Sequence, residues 1–152
     1  MRGFVGLGSN LGDRPAALRE AIRRLALVPG VAIGEISSFR ETEPIGKTNQ
    51  PRFLNAALEL EFDRSPEELL EHLLRIEHEL GRVRGERWGP RSVDLDLLLF
   101  GDRVLSTDRL TLPHPRMAER RFVLEPLAEL APDLLVPGTG RTVRQLLTGL
   151  PT

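Results

Sequence analysis

The chain has 152 residues, 40% hydrophobic and 28% charged, which fits one domain with a real core over residues 1–152. With 21 basic and 22 acidic residues the net charge is −1, which excludes a bulk basic field for nucleic acid. The absence of cysteine excludes disulfides and thiolate metal centres and makes the cytoplasm the expected compartment. No cleavable leader is expected in MRGFVGLGSNLGDR, and no apolar run reaches the ~20 residues that cross a bilayer.

The first predicted strand is Phe4–Gly8. Gly6, Gly8 and Gly12 are spaced G-x-G-x-x-x-G, one residue off the dinucleotide fingerprint, and read as a tight strand-to-helix turn. Asp13 and Pro15 then offer an N-cap and a first-turn proline; Leu18, Ile22 and Leu25 recur at helical spacing, and Pro29-Gly30 stops the helix. A second strand falls within Val31–Thr42, and EPIGKTNQPR is a loop. FLNAALELEF alternates. Leu54, Ala56, Leu58, Leu60 and Phe62 share the buried face, and Phe53, Asn55, Ala57, Glu59 and Glu61 the open one. Ser65 to Glu68 is a capping box ahead of the seam Leu69, Leu73, Ile76 and Leu80, and Gly81 is the expected stop. GPRSVDLDLLLFG, residues 89–101, is the next strand, and Gly101-Asp102 turns it into a hairpin with Val104-Leu105. Short helical pieces over Met117–Leu130 and a last helix from Thr142 complete the chain. The order predicts an α+β, ferredoxin-like βαββαβ fold: an antiparallel sheet with packed helices, plus a C-terminal hairpin and helical tail.

Alternation puts Asp94 and Asp96 on one face of that strand with Leu98 and Phe100, while Val93, Leu95, Leu97 and Leu99 face the core. Residues two apart on a strand have side-chain bases about 6.6 Å apart. Two carboxylates so placed can converge on one cation, or on two held about 3.5–4 Å apart, and an oxygen-only donor set suits Mg²⁺. A D-x-D alone equally describes two exposed aspartates on an edge strand. What adds to it is GRVRGERWGPR, residues 81–91, where Arg82, Arg84, Arg87 and Arg91 crowd a loop with only Glu86 opposing them. Crowded guanidinium groups repel, and a bound phosphate relieves that repulsion through bidentate hydrogen bonds.

Trp88 among those arginines suits a stacked base, so a nucleic-acid-binding module is a second reading, although aromatics make up only 5% of the chain. A two-metal phosphohydrolase is a third. Phe53 and Asn55 suit a flat heterocycle, stacked by the ring and read along its edge by the amide, but they equally suit the polar face of a half-buried strand. His72 and His78, six apart, read as surface residues, and His114 between Pro113 and Pro115 is uninformative alone.

Four segments together resemble the 6-hydroxymethyl-7,8-dihydropterin pyrophosphokinase family: GLGSNLGDR (6–14), ETEPIGKTNQPRFLNAALEL (41–60), RIEHELGRVRGERWGPRSVDLDLLLFGD (75–102) and LTLPHPRMAERRFVLEPL (110–127). The resemblance implies transfer of the terminal pyrophosphate of ATP to the hydroxymethyl group of a dihydropterin, with release of AMP. It implies that Asp94 and Asp96 hold two Mg²⁺ ions, and that Arg82 and Arg91 act on the phosphates as a mobile loop closes. Arg84, Arg87 and Trp88 match the same loop. Glu77, Arg109, Thr111, His114 and Arg120 match the ATP side. For the pterin it implies Asn55 with loop atoms near Thr42 and Pro44, and stacking between Phe53 and Phe122. Its partners are then two small molecules, with no nucleic acid and no membrane, and a monomer is the default. Three differences from some members stand out. Phe53 lacks a hydroxyl, Leu74 replaces a polar residue, and the arginine loop is one residue shorter.

Overall fold

The computed structural model describes residues 1–9, 13–42, 53–82 and 93–151, with the side chain of Arg82 outside that description. Strand β1 (Arg2–Ser9) leads to helix α1 (Arg14–Ala26), followed by β2 (Val31–Ile36), β3 (Arg40–Thr42) and β4 (Phe53–Phe62). Helix α2 (Pro66–Arg82) precedes β5 (Asp94–Phe100), and the short strands β6 (Leu105–Ser106) and β7 (Thr111–Leu112) come next. A turn of 3-10 helix at Met117–Glu119, α3 (Arg121–Leu130), β8 (Leu135–Val136), β9 (Arg141–Thr142) and α4 (Val143–Thr148) finish the order.

The main sheet runs β2-β4-β1-β5, all antiparallel, with β3 also on β4 beyond the end of β2. Its two faces carry two cores. On one, Leu18 and Leu25 of α1 and Leu69, Leu73 and Ile76 of α2 pack on Val5, Leu7, Leu58 and Leu97. Phe4, Leu98 and Leu99 meet Leu124 and Leu127 of α3 and Val143 of α4 on the other. No helix among the described residues is long and apolar enough to cross a membrane.

Local chemistry accounts for most boundaries. The Asp13 carboxylate accepts the Ala16 N–H at 3.1 Å and caps α1. Gly30 has φ 89°, and a Cβ there would sit 2.2 Å from Asp63 Oδ1, so only glycine closes that turn. At α2 the Glu68 N–H donates to Ser65 Oγ at 3.1 Å. Thr142 and Gln145 form a complete capping box on α4.

Five expectations need correction. The stretch Val31–Thr42 holds the expected strand and a second one, because β2 pairs Ile36 with Leu58 whereas β3 pairs Arg40 with Asn55, and one excess residue bends the chain between them. Gly81 does not stop α2, which runs on to Arg82; a Cβ at Gly81 would meet nothing within 4 Å, and its backbone stays on the helical path. The turn at Gly101 does not start a hairpin with β5, since β6 pairs with β7 instead. The open face of β4 is not open throughout: Asn55 and Ala57 are buried, and α3 packs on this strand. The fifth correction is on β5, where the pairs Phe4–Leu99 and Val5–Leu97 leave Leu98 as an extra, bulged residue. Alternation reverses there, so Leu99 joins the α3 core and Phe100 the α1/α2 core, opposite to expectation.

Candidate active site

Glycines in the middle of a strand mark places where something approaches the backbone closely. Gly6 and Gly8 lie inside β1, where the predicted strand Phe4–Gly8 has them, and not in a strand-to-helix turn. Gly8 pairs with Asn55 on one side and Asp94 on the other; Gly6 pairs with Ala57 and Asp96. Directly paired residues share a sheet face, so an amide and a carboxylate flank Gly8, about 10 Å apart at two interstrand spacings. A Cβ on Gly8 would lie 3.0 Å from Asn55 Nδ2, whereas a Cβ on Gly6 would touch the Leu98 side chain at 3.4 Å. The Asn55 amide thus turns its NH₂ group over Gly8, towards the carboxylates. Its Oδ1 accepts a 2.6 Å hydrogen bond from the Thr42 hydroxyl, which fixes the orientation. Phe53 also reaches this place, 3.9 Å from a Cβ on Gly8.

The other half of the site opens at the outer edge of β5. A cavity of about 280 Å³ is lined by Leu70, Leu74 and Glu77 of α2, Leu95, Asp96 and Leu97 of β5, the segment Thr107–Thr111, His114 and Pro115. Five predicted residues, Glu77, Asp96, Arg109, Thr111 and His114, therefore share one wall system. Asp94 does not line it; it stands beside Asp96 on the Gly8 row. Glu77 reaches round the sheet edge to accept the Leu95 N–H at 2.6 Å, satisfying a donor that no strand pairs. The His114 N–H donates to Leu98 O at 2.9 Å, so the bulge carbonyl anchors that loop. Arg109 is paired with Glu71 at 3.3 Å on the surface. Arg120 lies outside the lining, with its guanidinium 5.6 Å from the Phe122 ring centroid.

The charges are arranged in tension. Burial raises the Glu77 carboxyl above its ordinary range, the Leu95 hydrogen bond opposes that, and the charges of Asp94 and Asp96 add to it. Asp94 keeps an exposed surface, yet desolvation of its carboxyl and then the Asp96 charge raise it above its ordinary range. Burial lowers His114; Asp96 opposes this, while Arg120 and Arg116 reinforce it. The like charges of Asp94 and Asp96 on one strand face repel each other. Among the described residues no group of three or more histidine, cysteine, aspartate or glutamate side chains could hold a metal ion.

Pro44, Arg84, Arg87, Trp88 and Arg91 lie outside the described residues, as does the Arg82 side chain. The wall residues Thr107, Asp108 and Leu110 escaped the sequence reading, since nothing in TDRL distinguishes it from any polar loop. Gly6 and Gly8 fall within the predicted strand, but their spacing alone does not show that they sit between an amide and a carboxylate.

An antiparallel sheet whose one end brings an amide, paired carboxylates and a half-apolar cavity together defines a small-molecule site on an α+β scaffold. The particular family follows from comparison: the model of the 7,8-dihydro-6-hydroxymethylpterin-pyrophosphokinase (HPPK) family matches residues 4–132, and this chain belongs to that family. A 2-amino-4-hydroxy-6-hydroxymethyldihydropteridine pyrophosphokinase of Methylorubrum extorquens is 48% identical over 149 residues, covering 98% of this chain and 93% of the relative. The enzyme of that name from Synechocystis is 48% identical over 143 residues, 94% of this chain and 73% of the relative. The Bacillus subtilis one is 50% identical over 127 residues, 84% and 76%. A crystal structure of Plasmodium falciparum HPPK-DHPS superposes with a TM-score of 0.74 at 14% identity, a likeness of fold alone. It covers 97% of this chain, which spans 45% of that longer one. Membership selects pyrophosphoryl transfer from ATP to a hydroxymethyldihydropterin, a step of folate biosynthesis, over the nucleic-acid and phosphohydrolase readings.

Proposed function

We propose that the transfer takes place along the Gly8 row, with ATP in the β5-edge cavity and the pterin on the Asn55 side. The observation that carries this is the placement of the carboxylates: Asp96 lines the cavity while Asp94, Gly8 and Asn55 form one row across three strands. A triphosphate entering from the cavity then meets the aspartates before it meets the pterin.

Asp94 and Asp96 would hold two Mg²⁺ ions; oxygen-only donors, the mutual repulsion of the carboxylates and the upward shift at Asp94 all suit that cation. When bound, Mg²⁺ supplies charge neutralisation on the phosphates. The remaining work belongs to the chain's own groups. Glu77, Arg109, Thr111, His114 and Arg120 orient ATP, with Arg84, Arg87 and Trp88 from the arginine segment. Low-pKa His114 is neutral at pH 7 and offers a ring nitrogen as a hydrogen-bond partner rather than a charge. Arg82 and Arg91 stabilise charge on the phosphoryl oxygens. Asn55 donates its NH₂ to an acceptor on the pterin edge, Thr42 holds that amide in place, Pro44 borders the ring, and Phe53 and Phe122 stack on it. The hydroxymethyl oxygen attacks the β-phosphorus and gives up its proton to solvent, the bond from that phosphorus to the α-phosphate oxygen breaks, and AMP leaves.

The strand order β2-β4-β1-β5 supports a ferredoxin-like reading of the fold. Residues 1–152 form one domain on this reading, because α4 beyond the family match packs back on α3. The test is product identity. Protein, ATP, Mg²⁺ and 6-hydroxymethyl-7,8-dihydropterin should yield AMP and a pterin diphosphate; ADP, or a nucleotide product that forms without pterin, overturns the assignment.

A further inference from the structure

Strand β3 has only three residues and is bonded to the sheet through β4 alone. So short an edge strand holds its place weakly by ladder bonds alone. Yet it carries Thr42, whose hydroxyl fixes the Asn55 amide at 2.6 Å. An ion pair between Glu41 and Arg14 ties it to α1, and a second tie comes from far along the chain. The Glu129 carboxylate of α3 accepts the Ser38 N–H at 2.9 Å, the Ser38 hydroxyl at 2.8 Å and Arg40 Nη2 at 2.9 Å. Three donors from one short segment converge on one side chain about 90 residues away. Among the described residues the buried Arg40 Nε has no acceptor, so the guanidinium leans on its Nη2 bond to Glu129. Helix α3 also carries Phe122, seven residues before Glu129 and thus on the same helix face, about 10.5 Å along the axis.

We propose that Glu129 is a positioning residue for the pterin: by clasping Ser38 and Arg40 it sets where β3 presents Thr42 to Asn55, and ties that strand to the helix bearing Phe122. Glu129 touches neither substrate. Its removal lets β3 shift along or away from β4, the Thr42 hydroxyl leaves Asn55 Oδ1, and the amide loses its fixed orientation. The ATP cavity, at the opposite edge of the sheet, does not register the change. This rests on the reading that the pterin lies on the Asn55 side.

The test compares wild type with Glu129→Ala, Glu129→Gln, Thr42→Val and the double variant Glu129→Ala/Thr42→Val. Pterin binding is followed by its fluorescence, and binding of a non-hydrolysable ATP analogue by calorimetry. We expect Glu129→Ala to weaken pterin binding about fivefold and Thr42→Val about tenfold, with the nucleotide constant within about twofold of wild type. Glu129→Gln, which keeps one acceptor oxygen, recovers part of the loss. The double variant should be no weaker than Thr42→Val alone, because both act on the same amide. Equal loss of pterin and nucleotide binding, or full additivity in the double variant, overturns the role and leaves a general stabilising clasp. Unchanged pterin binding in Glu129→Ala, with wild type binding normally, overturns it too. If wild type itself binds no pterin, the proposed function fails and this inference with it.

Discussion

Asp94 and Asp96 point the same way from one strand, and without a cation the folded protein bears their repulsion. Asp94→Asn keeps the shape and removes one charge. With side-chain bases about 6.6 Å apart, Coulomb's law gives about 2.5 kcal/mol at an effective dielectric of about 20, and about 0.6 kcal/mol in bulk water. The Asp94 side chain is exposed, so the lower part of that range applies, and about 1 kcal/mol is expected. In a chain of this size that raises Tm by about 2–4 °C. Because the Asp94 carboxyl titrates above its unfolded value, its destabilisation is complete above that raised value and disappears below the ordinary aspartate range. The variant should therefore melt above wild type at pH 7, with the gap closing as the solution is acidified through that range. Turnover should be nearly abolished at the same time. Calorimetry in chelator and again with Mg²⁺ reads both halves of the argument: Mg²⁺ and an ATP analogue should raise the wild-type Tm more than that of the variant. An Asp94→Asn protein that melts at or below wild type in chelator at pH 7 refutes the reasoning.

Gly8→Ala places a methyl 3.0 Å from Asn55 Nδ2. It should cost about 1 kcal/mol of stability and about tenfold in pterin affinity with nucleotide affinity unchanged, as measured by urea unfolding and fluorescence titration. At Glu77, a glutamine keeps an acceptor for the Leu95 N–H and loses a like charge, so Glu77→Gln should match or exceed wild-type stability. Glu77→Leu leaves that N–H without its acceptor and should cost about 1–3 kcal/mol in the same urea experiment. Glu20 hydrogen-bonds Arg23 and Arg24, which hold its carboxyl down at about 2 against an ordinary 4.5. The stability it lends is present above the ordinary value and lost as pH falls towards about 2. Glu20→Gln should flatten the acid limb of a Tm-versus-pH curve over that window and leave the neutral limb nearly parallel to wild type.

The apolar periods of β1, α1, β4, α2 and β5 were readable because each element packs one face against the same core, and 2.0 and 3.6 periods leave distinct traces. The D-x-D was readable as well, since two charges inside a leucine run stand out. What escaped was set by contacts distant in sequence. Nothing in FLNAALELEF says that Asn55 and Ala57 are buried or that α3 packs on this strand. The bulge at Leu98 is silent in LDLLLF, where every residue after Asp96 is apolar and either phase looks correct. The split between β2 and β3 depends on pairing with β4, so VAIGEISSFRET could not reveal it. Of the site, the residues were legible largely through the family likeness. The role of Gly8, the Thr42–Asn55 bond and the walls of the cavity became visible only once three strands were side by side.

The bulged Leu98 has a further consequence for engineering. Removing that residue would leave Phe4 against Leu99 and Val5 against Leu97, so the ladder would become regular and each of those four side chains would keep its face. A designer seeking a tidier sheet would choose this deletion first. Yet Leu98 supplies the carbonyl that seats His114 and the side chain that covers Gly6. The shortened chain would be a well-formed scaffold with one cavity wall adrift and a hole under the carboxylates. At this strand, regularity and activity are competing designs, and the extra residue records which was kept.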